Sequence, residues 1–208
     1  IGKRGADAYG ELFENQVIAS GVEPRVSICE SPTGHVLSVV TPDAQRSMFT
    51  FLGASTELAP ESVTPDLFEN TAIAMIEGYL LFNPALMTAA LNAAKTAGAK
   101  IALDLASFEV VNASKDILEK IVKHDVDILI ANEDEARAYT GMDDEPAAVE
   151  QLGQNVEYGV LKVGGRGSYV AHQGTVTRIE PVTGHPPVDT TGAGDLWAAG
   201  FLFGLANG

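Results

Sequence analysis

From Phe68 onward, short apolar runs alternate with amphipathic stretches along the chain, the pattern left by parallel strands joined through crossover helices. Residues 72–76 predict a buried strand. Leu86, Ala90, Leu91 and Ala94 recur at helical spacing and predict a crossover helix over 84–97, stopped by Gly98. Ile101-Ala102-Leu103-Asp104 predicts a second strand. Ser114 is a candidate cap for a helix carrying Ile117, Leu118, Ile121 and Val122, with Lys120, Lys123 and His124 near the negative end of its dipole. A third strand is expected over 127–131, a short helix over 133–139 ending at Gly141, and a further strand over 156–163. Runs 169–172 and 176–179 flank Gln173-Gly174 and predict an antiparallel hairpin at one edge of the sheet.

Segment 26–51 differs in kind. β-formers and polar residues alternate there around Pro32-Thr33-Gly34, as in an antiparallel ribbon rather than a crossover unit. A lid or an edge sheet is expected. No internal repeat or low-complexity tract interrupts the chain.

Composition narrows the chemistry. The 208 residues are 46% hydrophobic, enough for one substantial core and too few for several independent domains, so a single domain over 1–208 is expected. The formal net charge is −15 and the pI is near 4.5. Such a chain lacks the Lys/Arg surplus that neutralises nucleic acid or anionic lipid, which disfavours both as partners and favours small-molecule work. Cys29 is the single cysteine. Neither an intrachain disulfide nor a thiolate metal cluster is available, in keeping with a reducing cytoplasm. Glu77 interrupts the apolar residues 73–82, so no stretch reaches membrane-span length. The chain opens on Ile1 and closes just after the apolar run 201–205, and both ends are expected to continue.

The candidate chemistry concentrates in Val188-Asp189-Thr190-Thr191-Gly192-Ala193-Gly194-Asp195-Leu196-Trp197-Ala198-Ala199-Gly200-Phe201. Its close glycines let backbone N–H groups crowd where a helix starting near Ala193 offers unbonded amides and a positive dipole end, which makes an anion cradle. Asp195 falls in the first turn of that helix. A carboxylate does not help to bind phosphate, but it does take a proton from an attacking hydroxyl, so the combination points to phosphoryl transfer. An isolated Gly-x-Gly-Asp would read as an acid complementing the helix dipole. The length of this stretch favours the chemical reading.

Residues 189–201 resemble the C-terminal signature of the ribokinase-like (PfkB) carbohydrate and nucleoside kinase family. The resemblance implies an α/β fold, a ribokinase-like three-layer sandwich with a mainly parallel central sheet and a small β lid formed in part by 26–51. It implies Asp195 as catalytic base, with Gly192, Ala193 and Gly194 forming the hole for the transferring phosphoryl group. A positioned base supplies ~10²–10⁴ in rate, so electrostatic stabilisation and alignment carry the rest. Asn132-Glu133-Asp134-Glu135 is similar to the family's Asn-x-x-Glu, which implies that Asn132 and Glu135 order water-bound Mg²⁺ and phosphate. Read alone, those residues are a polar helix start with a capping Asn. The loop Lys162-Val163-Gly164-Gly165-Arg166-Gly167-Ser168 resembles the family's Lys-x-Gly-x-x-Gly-Ser, implying Lys162, Gly164, Gly167 and Ser168 beside the ATP phosphates. A tight turn before the edge hairpin also explains its glycines.

Arg46 resembles an arginine that adenosine-kinase-like members bring to the phosphates at the lid edge; an exposed strand arginine fits equally. Asp189 and Thr191 match positions that hold a monovalent cation, often K⁺, and Thr191 counts also toward the cofactor site. A turn bonded by Asp and Thr is the alternative. Asp104 ends a strand at the edge where open α/β sheets bind ligands, yet the family's frequent Asp-x-Asn is here Asp104-Leu105-Ala106. His35, His124, His172 and His185 lack metal-ligand spacing and read as solvated or structural.

Gly2-Lys3-Arg4-Gly5-x-Asp7-x-x-Gly10 resembles the family segment that follows its N-terminal substrate-binding region. The family's Gly-Gly-x-x-x-Asn signature, early substrate aspartate and adenine-contacting region would then lie outside these residues. The implied activity is MgATP-dependent phosphorylation of a sugar or nucleoside hydroxyl by a cytoplasmic monomer or homodimer. The run 41–48 with Leu52-Gly53-Ala54 resembles adenosine-kinase-like members most. The alternatives are a phosphofructokinase-type sugar-phosphate kinase and a non-catalytic nucleotide-sensing relative, against which the intact Asp195 speaks. A P-loop NTPase would need Gly-x-x-x-x-Gly-Lys-Ser/Thr, and a dinucleotide dehydrogenase Gly-x-Gly-x-x-Gly after its first strand; the chain has neither.

Overall fold

The computed structural model describes residues 1–42, 46–182, 184 and 189–208, the side chain of Arg46 excepted. The chain forms two compact units, 1–63 with 186–192, and 64–185 with 193–208.

In the first unit, β1 (Gly2–Gly5) leads into α1 (Ala8–Ala19) and pairs in parallel with β2 (Val26–Cys29). Asp7 caps α1, its Oδ1 accepting the Gly10 N–H at 2.9 Å. The same carboxylate accepts the Thr33 hydroxyl at 2.7 Å and the Thr33 N–H at 2.8 Å. These bonds, the hydroxyl's first, hold the acid down at about 2. Thr33 Oγ1 in turn accepts the Gly5 N–H at 2.9 Å. The Pro32-Thr33-Gly34 turn is thereby fastened to the β1–α1 junction. Next come β3 (His35–Val40) and β4 (Arg46–Phe51), an antiparallel pair with His35 opposite Phe51 and Val40 opposite Arg46. The ribbon expected over 26–51 is therefore confined to 35–51. Residues 43–45, between its strands, lie outside the described residues, and β2 joins β1 instead.

The second unit contains β5 (Ile73–Glu77), α2 (Pro84–Thr96), β6 (Lys100–Asp104), α3 (Phe108–Asp125), β7 (Ile128–Asn132), α4 (Glu133–Thr140), α5 (Glu145–Leu152), β8 (Tyr158–Lys162), β9 (Ser168–His172), β10 (Thr175–Ile179) and α6 (Ala193–Asn207). The strands form one six-stranded sheet, in the order β10-β9-β8-β7-β6-β5. β5 to β8 are parallel and the β9–β10 hairpin closes one edge antiparallel. By the right-handed rule for parallel crossovers, sequential neighbours β5 to β8 place α2 to α5 on one face. On the other, Ala198 packs with Ala102, Ile128, Ile130, Val160 and Val170, and Trp197, Phe201, Leu202 and Leu205 of α6 extend the contact. Ile101, Leu103, Leu129 and Leu161, which point away from α6, are also buried. Side chains of both strand parities are thus covered, as a parallel sheet between two helical layers requires.

Two helices of the second unit differ from expectation. α3 begins at Phe108, where Ser107 Oγ accepts the Val110 N–H at 3.3 Å, and buries Val110 and Val111 ahead of the predicted stripe. Ser114 is not its cap but a break within it, at φ −123°, ψ 16°. α5 follows an unpredicted cap, Asp144, whose Oδ1 accepts the Ala147 N–H at 2.9 Å, with Pro146 in the first turn. No described helix is long and apolar enough to cross a membrane.

Candidate active site

Parallel register brings charged residues to one edge of the second unit's sheet. Glu77 lies opposite Asp104, Asp104 opposite Ile130, and Asn132 opposite Lys162, all at the carboxyl ends of their strands. That edge is where open α/β sheets bind ligands. Lys162 Nζ donates to Asp104 Oδ2 at 2.6 Å, both side chains being largely buried. Asp104 Oδ1 accepts the Ala106 N–H at 3.0 Å. Ala106 itself has φ 68°, a left-handed conformation that Asn tolerates better than Ala. The sequence departure from Asp-x-Asn thus falls on a backbone position suited to Asn, and the Asp104 carboxylate holds the turn in its place.

α6 brings its first turn to the same edge. A Cβ built on Gly194 would lie 3.6 Å from Lys162 Nζ, so the helix N-terminus stands against the ammonium. Asp195 is exposed in that turn. Burial raises the pKa of Glu77 above the ordinary carboxylate range, and the charges of Asp104 and Asp195 raise it further. Glu77 was not among the candidates read from sequence. The available signal was its place at the end of an apolar run, matching that of Asp104.

Asn132 and Glu135 make a reciprocal cap at the start of α4. Asn132 Oδ1 accepts the Glu135 N–H at 3.0 Å, while Glu135 Oε2 and Oε1 accept from the Asn132 backbone N–H and Nδ2 at 2.8 and 2.7 Å. Glu135 is 3% exposed. Burial pushes its carboxyl up to about 7, the Asn132 backbone bond pulls the other way, and Asp104 adds repulsion that Lys162 offsets.

Glu77, Asp104, Glu135 and Asp195 are therefore electrostatically coupled, with Lys162 as a moderating cation. Such an excess of negative charge favours a bound cation. Among the described residues no three His, Cys, Asp or Glu side chains converge to ligate a metal directly, and Asn132 occupies both Glu135 oxygens. The donor set fits a hydrated Mg²⁺ held through its water, which is how this hard ion often binds.

The remaining candidates are more dispersed. Gly164 (φ 55°) and Gly167 (φ 95°) shape the loop after β8, and a Cβ at Gly167 would fall 2.1 Å from the Ile179 carbonyl oxygen. Close packing on β10 thus demands that glycine. Arg166 ties this loop to Glu133 and Glu145 at the starts of α4 and α5. Ser168, opposite Lys162, is fully buried, and its Oγ has no hydrogen-bond partner among the described residues. In the first unit, Asp189 Oδ1 accepts the Thr191 N–H at 2.8 Å, and Gly192 has φ 75°. Arg46 opens β4, with its side chain outside the described residues. His172 stacks on Tyr158 at 4.1 Å and His35 on Tyr9 at 5.6 Å, both structural arrangements. His185 lies outside the described residues. The first unit also carries an apolar groove of about 850 Å³, lined in part by Tyr9, Leu12, Phe13, Val36, Phe51 and Leu52. Among the described residues, none of the candidate catalytic or cofactor side chains lines it.

A mostly parallel sheet covered on both faces, with charged strand ends beneath a helix N-terminus and a separate small antiparallel sheet, is the ribokinase-like fold. The chain belongs to the pfkB family of carbohydrate kinases, whose pattern matches residues 1–208. It is 28% identical to a ribokinase of Arabidopsis thaliana over 100% of this chain and 56% of that protein. Among solved structures, the adenosine kinase of Sinorhizobium meliloti superposes with a TM-score of 0.91 at 33% identity, over 100% of this chain and 65% of its own. The Anopheles gambiae adenosine kinase in complex with P1,P4-di(adenosine-5) tetraphosphate gives 0.85 at 26% identity, over 99% and 66%. The chain thus spans between 56% and 66% of the length of these relatives.

Proposed function

We propose that the protein carrying this chain transfers the γ-phosphoryl group of ATP to a hydroxyl of a sugar or nucleoside, in the manner of adenosine-kinase-like members of its family. The observation that carries this reading is the exposed Asp195 on the first turn of α6, a turn whose Gly194 stands against Lys162 and whose Asp195 charge is felt by Glu77 at the acidic strand ends. The acceptor hydroxyl gives its proton to the Asp195 carboxylate as its oxygen bonds to the γ-phosphorus, the bond from that phosphorus to the bridging oxygen breaks, and ADP leaves. The amides of Gly192, Ala193 and Gly194 receive the charge on the transferring group. Mg²⁺ would neutralise phosphate charge, and Glu135 and Asn132 would hold it through water. As the family resemblance implies, Lys162, Gly164, Gly167, Ser168 and Thr191 serve the nucleotide phosphates, and Arg46 is assigned to the same task. Asp189 and Thr191 would hold a monovalent cation such as K⁺.

Residues 1–208 act in this reading as one kinase domain in which 26–51 supplies part of the lid. The reducing cytoplasm suits the lone thiol of Cys29. The relatives, a ribokinase and two adenosine kinases, and the dinucleoside tetraphosphate bound to one of them, support both a sugar or nucleoside acceptor and a polyphosphate donor. The test is ADP release by the full-length protein with MgATP against a panel of nucleosides, free sugars and sugar phosphates. Turnover driven by one nucleoside or free sugar is the expected result. Turnover confined to sugar phosphates would move the protein to the phosphofructokinase type, and no turnover with any acceptor would favour a nucleotide sensor.

A further inference from the structure

Asp104 and Lys162 come from strands that are not neighbours, since β7 lies between β6 and β8. Their carboxylate and ammonium nonetheless meet at 2.6 Å, with the side chains 10% and 16% exposed. An ammonium does not settle beside the first turn of a helix unaided, because that end carries the positive pole of the dipole. Lysine also has four rotatable side-chain bonds and loses much rotamer freedom when held. Other acids compete for it, for Glu77 and Glu135 both feel the Lys162 charge. Asp104 is itself firmly placed. Its Oδ1 takes the Ala106 N–H, and the Leu105 N–H donates to the Ile130 carbonyl at 2.9 Å. On the other side, the backbone at Gly78 comes so close that a Cβ there would be 2.9 Å from the Asp104 carbonyl oxygen and 2.7 Å from that of Leu105.

We propose that Asp104 is a positioning residue for phosphoryl transfer, holding the Lys162 ammonium against the first turn of α6 and away from Asp195. An incoming phosphate then meets a fixed positive charge, and the catalytic base is kept out of an ion pair with the lysine. This role rests on the phosphotransfer reading given above.

Asp104→Asn isolates the effect, because the amide oxygen can still accept the Ala106 N–H while the charge that holds Lys162 is gone. In the full-length protein kcat falls by up to about 100-fold, as for a catalytic group displaced by about an ångström, and the KM for ATP changes less. Asp104→Glu restores part of the loss. Lys162→Met lowers kcat as well, and the double variant is no slower than Lys162→Met alone because the pair is already broken. Selective ¹⁵N labelling of lysine supplies a readout independent of turnover: an ordered Lys162 ammonium gives a resolved side-chain signal that Asp104→Asn removes.

Thermal unfolding checks that each variant is folded; should Asp104→Asn fail to fold, Asp104→Glu and Lys162→Met carry the comparison. The proposal is overturned if Asp104→Asn keeps kcat within about threefold of wild type, a change too small for a misplaced charge at the reacting group. It is also overturned if the two losses multiply or if the ammonium signal is unchanged. A wild-type protein that turns over no acceptor would remove the kinase reading, and the ammonium signal would still decide whether Asp104 places Lys162.

Discussion

The two units use similar apolar residues to opposite effect. In the sheet of the second unit, Leu103, Leu129 and Leu161 are buried between helical layers, whereas Leu37 on β3 and Phe49 on β4 are 63% and 65% exposed. Hydrophobicity along a strand therefore does not by itself produce a core; a layer on each face does. The chemistry follows the same division. Glu77, Asp104, Asn132 and Lys162 sit at the ends of strands that cannot shift without disturbing the core, while the two-stranded sheet bearing the lid candidate contributes little burial of its own.

The sharpest way to break this contrast is to truncate one leucine in each unit. Leu103→Ala should cost ~2–5 kcal/mol in chemical denaturation, as for a buried leucine that leaves a cavity, and Leu37→Ala about 0.5 kcal/mol or less. Equal losses would mean that β3 is buried as deeply as β6.

Next in size is the acid buried at the head of α4. Glu135 has its folded value raised to about 7 from an ordinary 4.5, so the folded protein binds more protons than the unfolded chain between those values. Stability is highest below the unfolded value and declines as pH rises from about 4.5 to about 7, by on the order of 3 kcal/mol if the group acts alone. Urea midpoints measured across that range should show this decline in wild type and a flatter profile in Glu135→Gln. An unchanged slope would place the titration elsewhere.

A smaller effect separates two glycines of one loop. Gly167→Ala meets both an unfavourable φ and the Ile179 carbonyl oxygen, whereas Gly164→Ala meets open space at a left-handed φ. Losses of ~3 and ~1 kcal/mol are expected. If the two prove equally mild, the loop relaxes freely away from β10.

Much of the second unit was legible because crossover units leave a periodic record: β5, α2, β6, β7, α4, β8 and the β9–β10 hairpin all fall close to where the pattern places them. The start of α3 was not legible, since Ser114 has the right chemistry for a cap and its break lies inside a helix whose true cap, Ser107, follows the left-handed Ala106. The parallel pairing of β1 with β2 was equally hidden, because nothing local distinguishes it from a ribbon.

At the site, Asp195 and the Asn132–Glu135 cap could be found by spacing within one segment. The Asp104–Lys162 pair could not, for its members are 58 residues apart and meet only through the register of three strands. Glu77 needed the same register to come beside Asp104. Local motifs thus marked the groups at helix starts, and the sheet supplied the groups at strand ends.

The most direct test of the assignment is Asp195→Asn in the full-length protein, with ADP release followed on the best acceptor and ATP affinity measured by calorimetry. Turnover should fall by ~10²–10⁴ while ATP affinity stays within a few-fold, because a positioned base acts on the acceptor proton rather than on the nucleotide. Turnover close to wild type would contradict the role given to Asp195, and with it the placement of the chemistry on the first turn of α6.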